Sequence, residues 1–240
     1  MKAVTLGRQS GDHLTYISAL SSAADALHQV GKLDQSKALF AEGIAYQLSL
    51  AEDSEEISIF VLQGYHYFSL LLTLNQCDKV IEWCNRQINT WMSEKISILT
   101  SALDHLSLVK ALLDKCEKGK IAANIDKMLE DTVSLIRKSR DVSFLPDALL
   151  TQARYQRLIG RFDAAKRTLE RAKRLTNNMP KHFVDARIEE VELQCTAKWI
   201  NLNELQSRVK SIDFCIKKMA YHRRSEDIHK IMQNVVERNQ

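Results

Sequence analysis

The residue pairs in this 240-residue chain whose types and spacing could do chemistry are few, and each has a limited reach. Asp25 and His28 stand three apart, which on a helix puts them on one face and permits a hydrogen bond. No nucleophile accompanies them, so the pair reads as structural rather than as an acid–base couple. Asp104 and His105 are adjacent and would point about 100° apart on a helix, too far for a dyad. Cys77 and Cys84 lie seven apart, a common core spacing, and no His pair accompanies them as a zinc site would require. Arg154, Arg157 and Arg161 follow i, i+3, i+7 spacing and would form a positive stripe, able to hold carboxylates or phosphates through forked hydrogen bonds. His-Glu-x-x-His, Gly-x-Ser-x-Gly and Gly-x-Gly-x-x-Gly patterns are missing. Gly119-Lys120 is followed by Ile121 and has Asp114 where a phosphate loop needs its first Gly, so it is no Walker A motif. The chain therefore reads as a binding protein rather than an enzyme, with no catalytic residue, metal or cofactor expected.

Composition points to helices as the elements that position these residues. Only seven Gly and two Pro, with abundant Leu, Ala, Lys, Glu and Gln, favour an almost wholly helical chain. No stretch approaches the ~18 uncharged apolar residues of a membrane span, and the N-terminus lacks the pattern of a signal peptide, so a cytoplasmic setting is expected. Five scattered cysteines, an odd number, read as free thiols packed as small hydrophobes. Net charge is only +4, but residues 1–60 carry four Lys/Arg against eight Asp/Glu, and residues 137–174 carry eleven against four. Such asymmetry invites an electrostatic partner or head-to-tail association of copies; a solvated helix face is the plain alternative.

The clearest structural unit is Leu149 to Leu175, which reads as helix, tight turn, helix. Leu149, Leu150, Ala153 and Leu158 precede Gly160, and Ala165, Leu169 and Ala172 follow it, giving each helix one apolar stripe. Gly160 suits the left-handed residue that ends a helix, and the two alanines allow close approach. Turn groups that could serve similarly begin at Gly31, Asn75, Gly119, Gly160 and Asn201, spaced 44, 44, 41 and 41 residues apart. The near-constant period predicts an all-α, right-handed solenoid of about five hairpins, each about ten residues longer than the tetratricopeptide consensus. The hairpins are expected at about 13–50, 57–92, 94–139, 146–176 and 181–219, with a capping helix over 221–238, all in one repeat domain. Residues 1–11 look like the end of a second helix, as in a chain cut from something longer, or like an ordinary N-terminus.

The spacing of Gly160, Ala165, Leu169 and Ala172 resembles the tetratricopeptide repeat. Ala24-Asp25-Ala26-Leu27-His28-Gln29-Val30-Gly31, Leu62-Gln63-Gly64-Tyr65-His66-Tyr67, Leu70-Leu71-Leu72, Ala102-Leu103-Asp104-His105-Leu106 and Tyr221-His222-Arg223-Arg224 go further. In this order they resemble the C-terminal repeat array of bacterial STAND-type signalling ATPases, over residues from about 4 to 230. That resemblance implies an array that senses a ligand or partner while a separate domain, lacking here, carries the ATPase. Laid on the hairpins, the tetratricopeptide register directs Asp25, His28, Tyr65, Ser69, Arg154 and Arg157 toward the concave, ligand-binding surface. The expected function is a non-catalytic protein- or peptide-binding sensor or scaffold, with acidic peptides suiting Arg154 and Arg157. The alternative is nucleic-acid binding through the basic 137–174 surface.

Overall fold

The computed structural model describes residues 2–50, 61–91, 97–116 and 124–238. All regular structure among them is helical: α1 (Lys2–Gln9), α2 (His13–Gln29), α3 (Leu33–Leu50), α4 (Val61–Thr73), α5 (Cys77–Trp91) and α6 (Ile98–Lys115). There follow α7 (Ile125–Lys138), α8 (Leu145–Leu158), α9 (Phe162–Leu175), α10 (Pro180–Thr196), α11 (Leu202–Lys218) and α12 (Ser225–Arg238). Short 3-10 turns, Val142–Phe144 and His222–Arg224, lead into α8 and α12. No described helix is long and apolar enough to cross a membrane.

Helices pair in sequence, α2 with α3, α4 with α5, α6 with α7, α8 with α9 and α10 with α11. The first helix of each pair also packs on the next first helix, giving the row α2, α4, α6, α8, α10, and α12 joins its end. Each second helix leans on the following first helix, so α8 lies against both α7 and α9.

The turns follow from backbone chemistry. Gly31, Asn75 and Gly160 take left-handed φ values of 79°, 56° and 77° and end their helices, as residues with little steric cost there should. The amide after each closes the helix end by donating five residues back: Lys32 to Leu27, Gln76 to Leu71 and Arg161 to Gln156. The fifth turn departs from the sequence reading. Its left-handed residue is Lys198 (φ 59°), and Trp199 donates to Gln194. Asn201, expected as the turn residue, instead caps α11 by accepting from the Glu204 amide at 2.9 Å. Arg140 and Ala220 also end helices at φ 65° and 51°, without the Gly or Asn that marks the other turns. Gly119 lies outside the described residues, as do residues 51–60 of the acidic link and the start of the second hairpin.

The apolar stripes bury except at Leu158, which stays exposed at the last residue of α8. Ala153, Ala165, Leu169 and Ala172 are buried between α8 and α9, where the alanines let the helices approach and Leu169 fills the space. Each such large side chain stabilises by roughly 1.5–3 kcal/mol on burial. A second cluster, around Val191, Leu205, Ile212, Tyr221 and Ile228, joins α10, α11 and α12.

The row of first helices curves back on itself. The His222–Arg224 turn packs against α2, and a Cβ placed on Gly31 would stand 3.3 Å from the His222 Cβ. The first hairpin and the cap are therefore neighbours.

Candidate binding surface on the first helices

Polar side chains converge along the inner row. From α4, buried Tyr65 donates its hydroxyl to Asp147 of α8. Lys110 of α6 reaches the same Asp147 Oδ2 at 2.6 Å and Tyr65 Oη at 3.1 Å, and lies 5.1 Å from the Tyr65 ring centroid. The ring is fixed by an edge-on contact with Phe144, 5.4 Å between centroids. Burial alone would raise the Asp147 carboxyl, but Lys110 and the Tyr65 hydroxyl outweigh it and hold it at about 2. Burial and the neighbouring carboxylate push the Tyr65 phenol well up, so it stays a donor.

Further along the row, Asp25 accepts from Gln29 Nε2 at 2.8 Å and faces His66 Nδ1 of α4 at 3.4 Å. Burial opposes its ionisation, and His66 and Gln29 more than offset that, leaving it at about 2. His28 does not bond Asp25 as the three-residue spacing suggested. Its Nε2 is 2.9 Å from Thr73 Oγ1, and Thr73 in turn donates to the Ser69 carbonyl at 3.1 Å. The hydroxyl proton being so used, His28 Nε2 must be the donor, which leaves Nδ1 as a bare acceptor without a partner among the described residues. Burial, then the nearby Arg223, lowers this imidazole to about 3, so it is neutral. At the cap, Arg224 donates to Asp185 of α10 at 2.6 Å and to Asp227 at 2.8 Å, while Tyr221 reaches Asp185 at 3.2 Å.

Arg154 and Arg157 serve as ties between hairpins. Arg157 is buried and holds Glu189 of α10 through a fork, Nε to Oε1 at 2.7 Å and a terminal nitrogen to Oε2 at 3.2 Å, and it also donates to Glu192. Those two carboxylates keep the guanidinium charged against the cost of burial. Arg154 reaches back to Asp114 of α6 at 2.7 Å, and Arg161 to Asp126 of α7 at 2.9 Å. The arginine stripe thus points to three different helices, each guanidinium paired with a carboxylate of this chain.

Of the expected positions, Asp25, Tyr65 and the backbone of Ser69 belong to hydrogen-bonded groups on the inner row, and His28 is sealed beneath it. Lys110, Asp147, Asp185 and Arg224 were not foreseen. A signal for two of them exists: Asp147 precedes Gly160, and Asp185 precedes Lys198, by the same 13 residues. Placing the fifth turn at Asn201 hid that correspondence. Similarly, Glu189 and Glu192 share a helix face at i, i+3 and form a ready acceptor for a buried Arg.

The arrangement offers donors and acceptors that fix one another in place, with exposed Lys181 and His222 near it. It can orient a polar partner. Among the described residues no group of three His, Cys, Asp or Glu could hold a metal ion, and none of the five cysteines is in a disulfide. No family model, curated protein or solved structure matches this chain.

Proposed function

We propose that the chain is a non-catalytic binding module, a right-handed tetratricopeptide-like solenoid whose inner face recognises a protein segment. In this reading it acts as the sensor or scaffold array of a bacterial signalling ATPase, in the cytoplasm. The observation that carries the reading is the row of pre-ordered polar groups on successive first helices, Asp25, Tyr65, Lys110, Asp147 and Asp185. Five first helices contribute to one surface, which is how stacked hairpins read an extended segment. Groups already held by neighbours lose little entropy on binding, so their hydrogen bonds count toward affinity. Arg154 and Arg157 position the hairpins for this surface, and the partner is met by the exposed or half-exposed groups, His66 and Lys181.

The test is site-specific photocrosslinking in cells, with the photoreactive residue at Lys181 beside the row or at Lys210 on exposed α11. A protein adduct specific to Lys181, whose purified partner loses roughly tenfold in affinity with His66→Ala, is the expected result. No adduct at Lys181, or the same adducts at both sites, would overturn the reading.

A further inference from the structure

A second surface, on the outer helices and independent of the inner row, carries charge that the fold itself does not use. Between α7 and α9, with α8 as its floor, lies a cleft of about 430 Å³ lined by Glu130, Ser134, Arg137, Lys138, Gln152 and Arg171. We infer that this cleft binds a small polyanion bearing two or more phosphate groups.

Pairing separates this site from the four basic residues of the stretch that tie the hairpins together. Arg154, Arg157, Arg161 and Lys173 are each engaged by carboxylates of the chain. Arg137, Lys138 and Arg171 have no side-chain hydrogen bond or ion pair among the described residues, and they are exposed in one concavity. Glu130 is the one carboxylate lining the cleft and pairs with none of them, so three cations close together keep an excess of positive charge, which is unfavourable for an isolated protein. An anion would relieve it, since guanidinium forks match phosphate oxygens in pairs. Ser134 and Gln152, half-buried at the cleft, add neutral donors. The volume falls within the range of small-molecule sites.

The extent of the positive surface favours a compact ligand over a nucleic-acid strand. On the α9–α11 side, Lys173 is held by Glu170 and Glu190, and Arg208 by Glu204. On the α5–α7 side, Asp126 and Glu82 balance Arg161 and Arg86. A phosphate backbone needs a positive track across several hairpins. Here Arg137, Lys138 and Arg171 share one inter-hairpin cleft, with Arg167 and Arg174 flanking Arg171 on the exposed face of α9, whereas other cations without a side-chain partner among the described residues, such as Lys79, Lys198 and Lys210, are scattered over other elements.

The experiment is calorimetric titration of the full chain with tripolyphosphate in chloride buffer, with a short single-stranded RNA in a parallel arm. The variants are Arg137→Glu, Arg171→Glu and the outer-surface control Lys210→Glu, each checked for folding by circular dichroism. Saturable one-to-one binding of tripolyphosphate is expected, weakened roughly tenfold or more by either arginine reversal and within about twofold of wild type for Lys210→Glu. Absence of binding to the wild type, or equal weakening by the control, overturns the assignment. RNA binding tighter than tripolyphosphate, and lost with the same arginines, replaces the compact ligand by a nucleic acid and likewise overturns it.

Discussion

Gly31, at the turn of the first hairpin, stands so close to His222 of the cap that a Cβ on the glycine would lie 3.3 Å from the histidine Cβ. Two segments far apart in sequence therefore share one contact, and the row of first helices between them is bent into an arc. At the equivalent Gly160 nothing lies within 4 Å of such a Cβ. The two glycines have nearly the same φ, 79° and 77°, so they differ only in what they face.

Gly160→Ala should cost about 1–2 kcal/mol, the price of a left-handed alanine. Gly31→Ala should cost measurably more, because the new methyl also presses on His222. In a His222→Gly background the excess should vanish. Urea unfolding of the two single variants and the double variant checks this; equal costs at both glycines would mean that the contact carries no energy.

Lys110 and Asp147 form a partly buried pair whose removal should be felt strongly. Lys110→Met leaves the Asp147 carboxylate without its cation, and a loss of about 3–5 kcal/mol at neutral pH is expected. The folded carboxyl lies at about 2, below its unfolded value, so the stability it contributes is present above about pH 4 and is lost as pH falls toward 2. In Lys110→Met that acid limb should begin at higher pH, as read from unfolding free energies across a pH series.

Asp104 works in the opposite sense. Burial pushes it up to about 7, and the Gln87 side-chain amide, its nitrogen turned toward the carboxyl, stands 3.2 Å away. Its folded pKa exceeds the unfolded one, so the native state holds the proton longer and stability falls as pH rises from about 4 to about 7. Asp104→Asn should remove that slope and stabilise the protein at pH 8 by something on the order of 2–4 kcal/mol. The same pH series tests it; a destabilised variant at pH 8 would show that the charged form is favoured after all.

Arg154 and Arg157 occur in one sequence stripe but should differ greatly. Arg157→Met strands buried Glu189 and is expected to cost about 3–5 kcal/mol, with partial recovery when Glu189→Gln is added. Arg157→Lys keeps the charge yet loses the fork, so it should also destabilise. Arg154→Ala breaks a more exposed pair and should cost no more than about 1 kcal/mol. Denaturant midpoints of the four variants provide the comparison.

Lys198→Gly should stabilise by about 1 kcal/mol, since it removes the strain of a left-handed lysine at the fifth turn. Asn201→Ala should cost about 1 kcal/mol by deleting the α11 cap. A neutral first change would mean that the turn is not where the backbone angles put it.

What the sequence by itself determined is local. Apolar spacing along Leu149–Leu175 dictated two packed helices, Gly31, Asn75 and Gly160 dictated three turns, and low Gly and Pro content dictated that the regular structure among the described residues is helical. These features depend on residues within a few positions of each other, where helical periodicity and backbone sterics act directly. Only the tertiary structure decided which polar groups meet. The partners of Arg157 lie 32 and 35 residues away, those of Tyr65 lie 45 and 82 away, and no spacing rule spans such distances. It also decided which arginines are consumed by the fold and which are left for a ligand. Pairing of charges is set by how helices are stacked, and stacking is driven by the apolar core, which says nothing in advance about the charges it brings together.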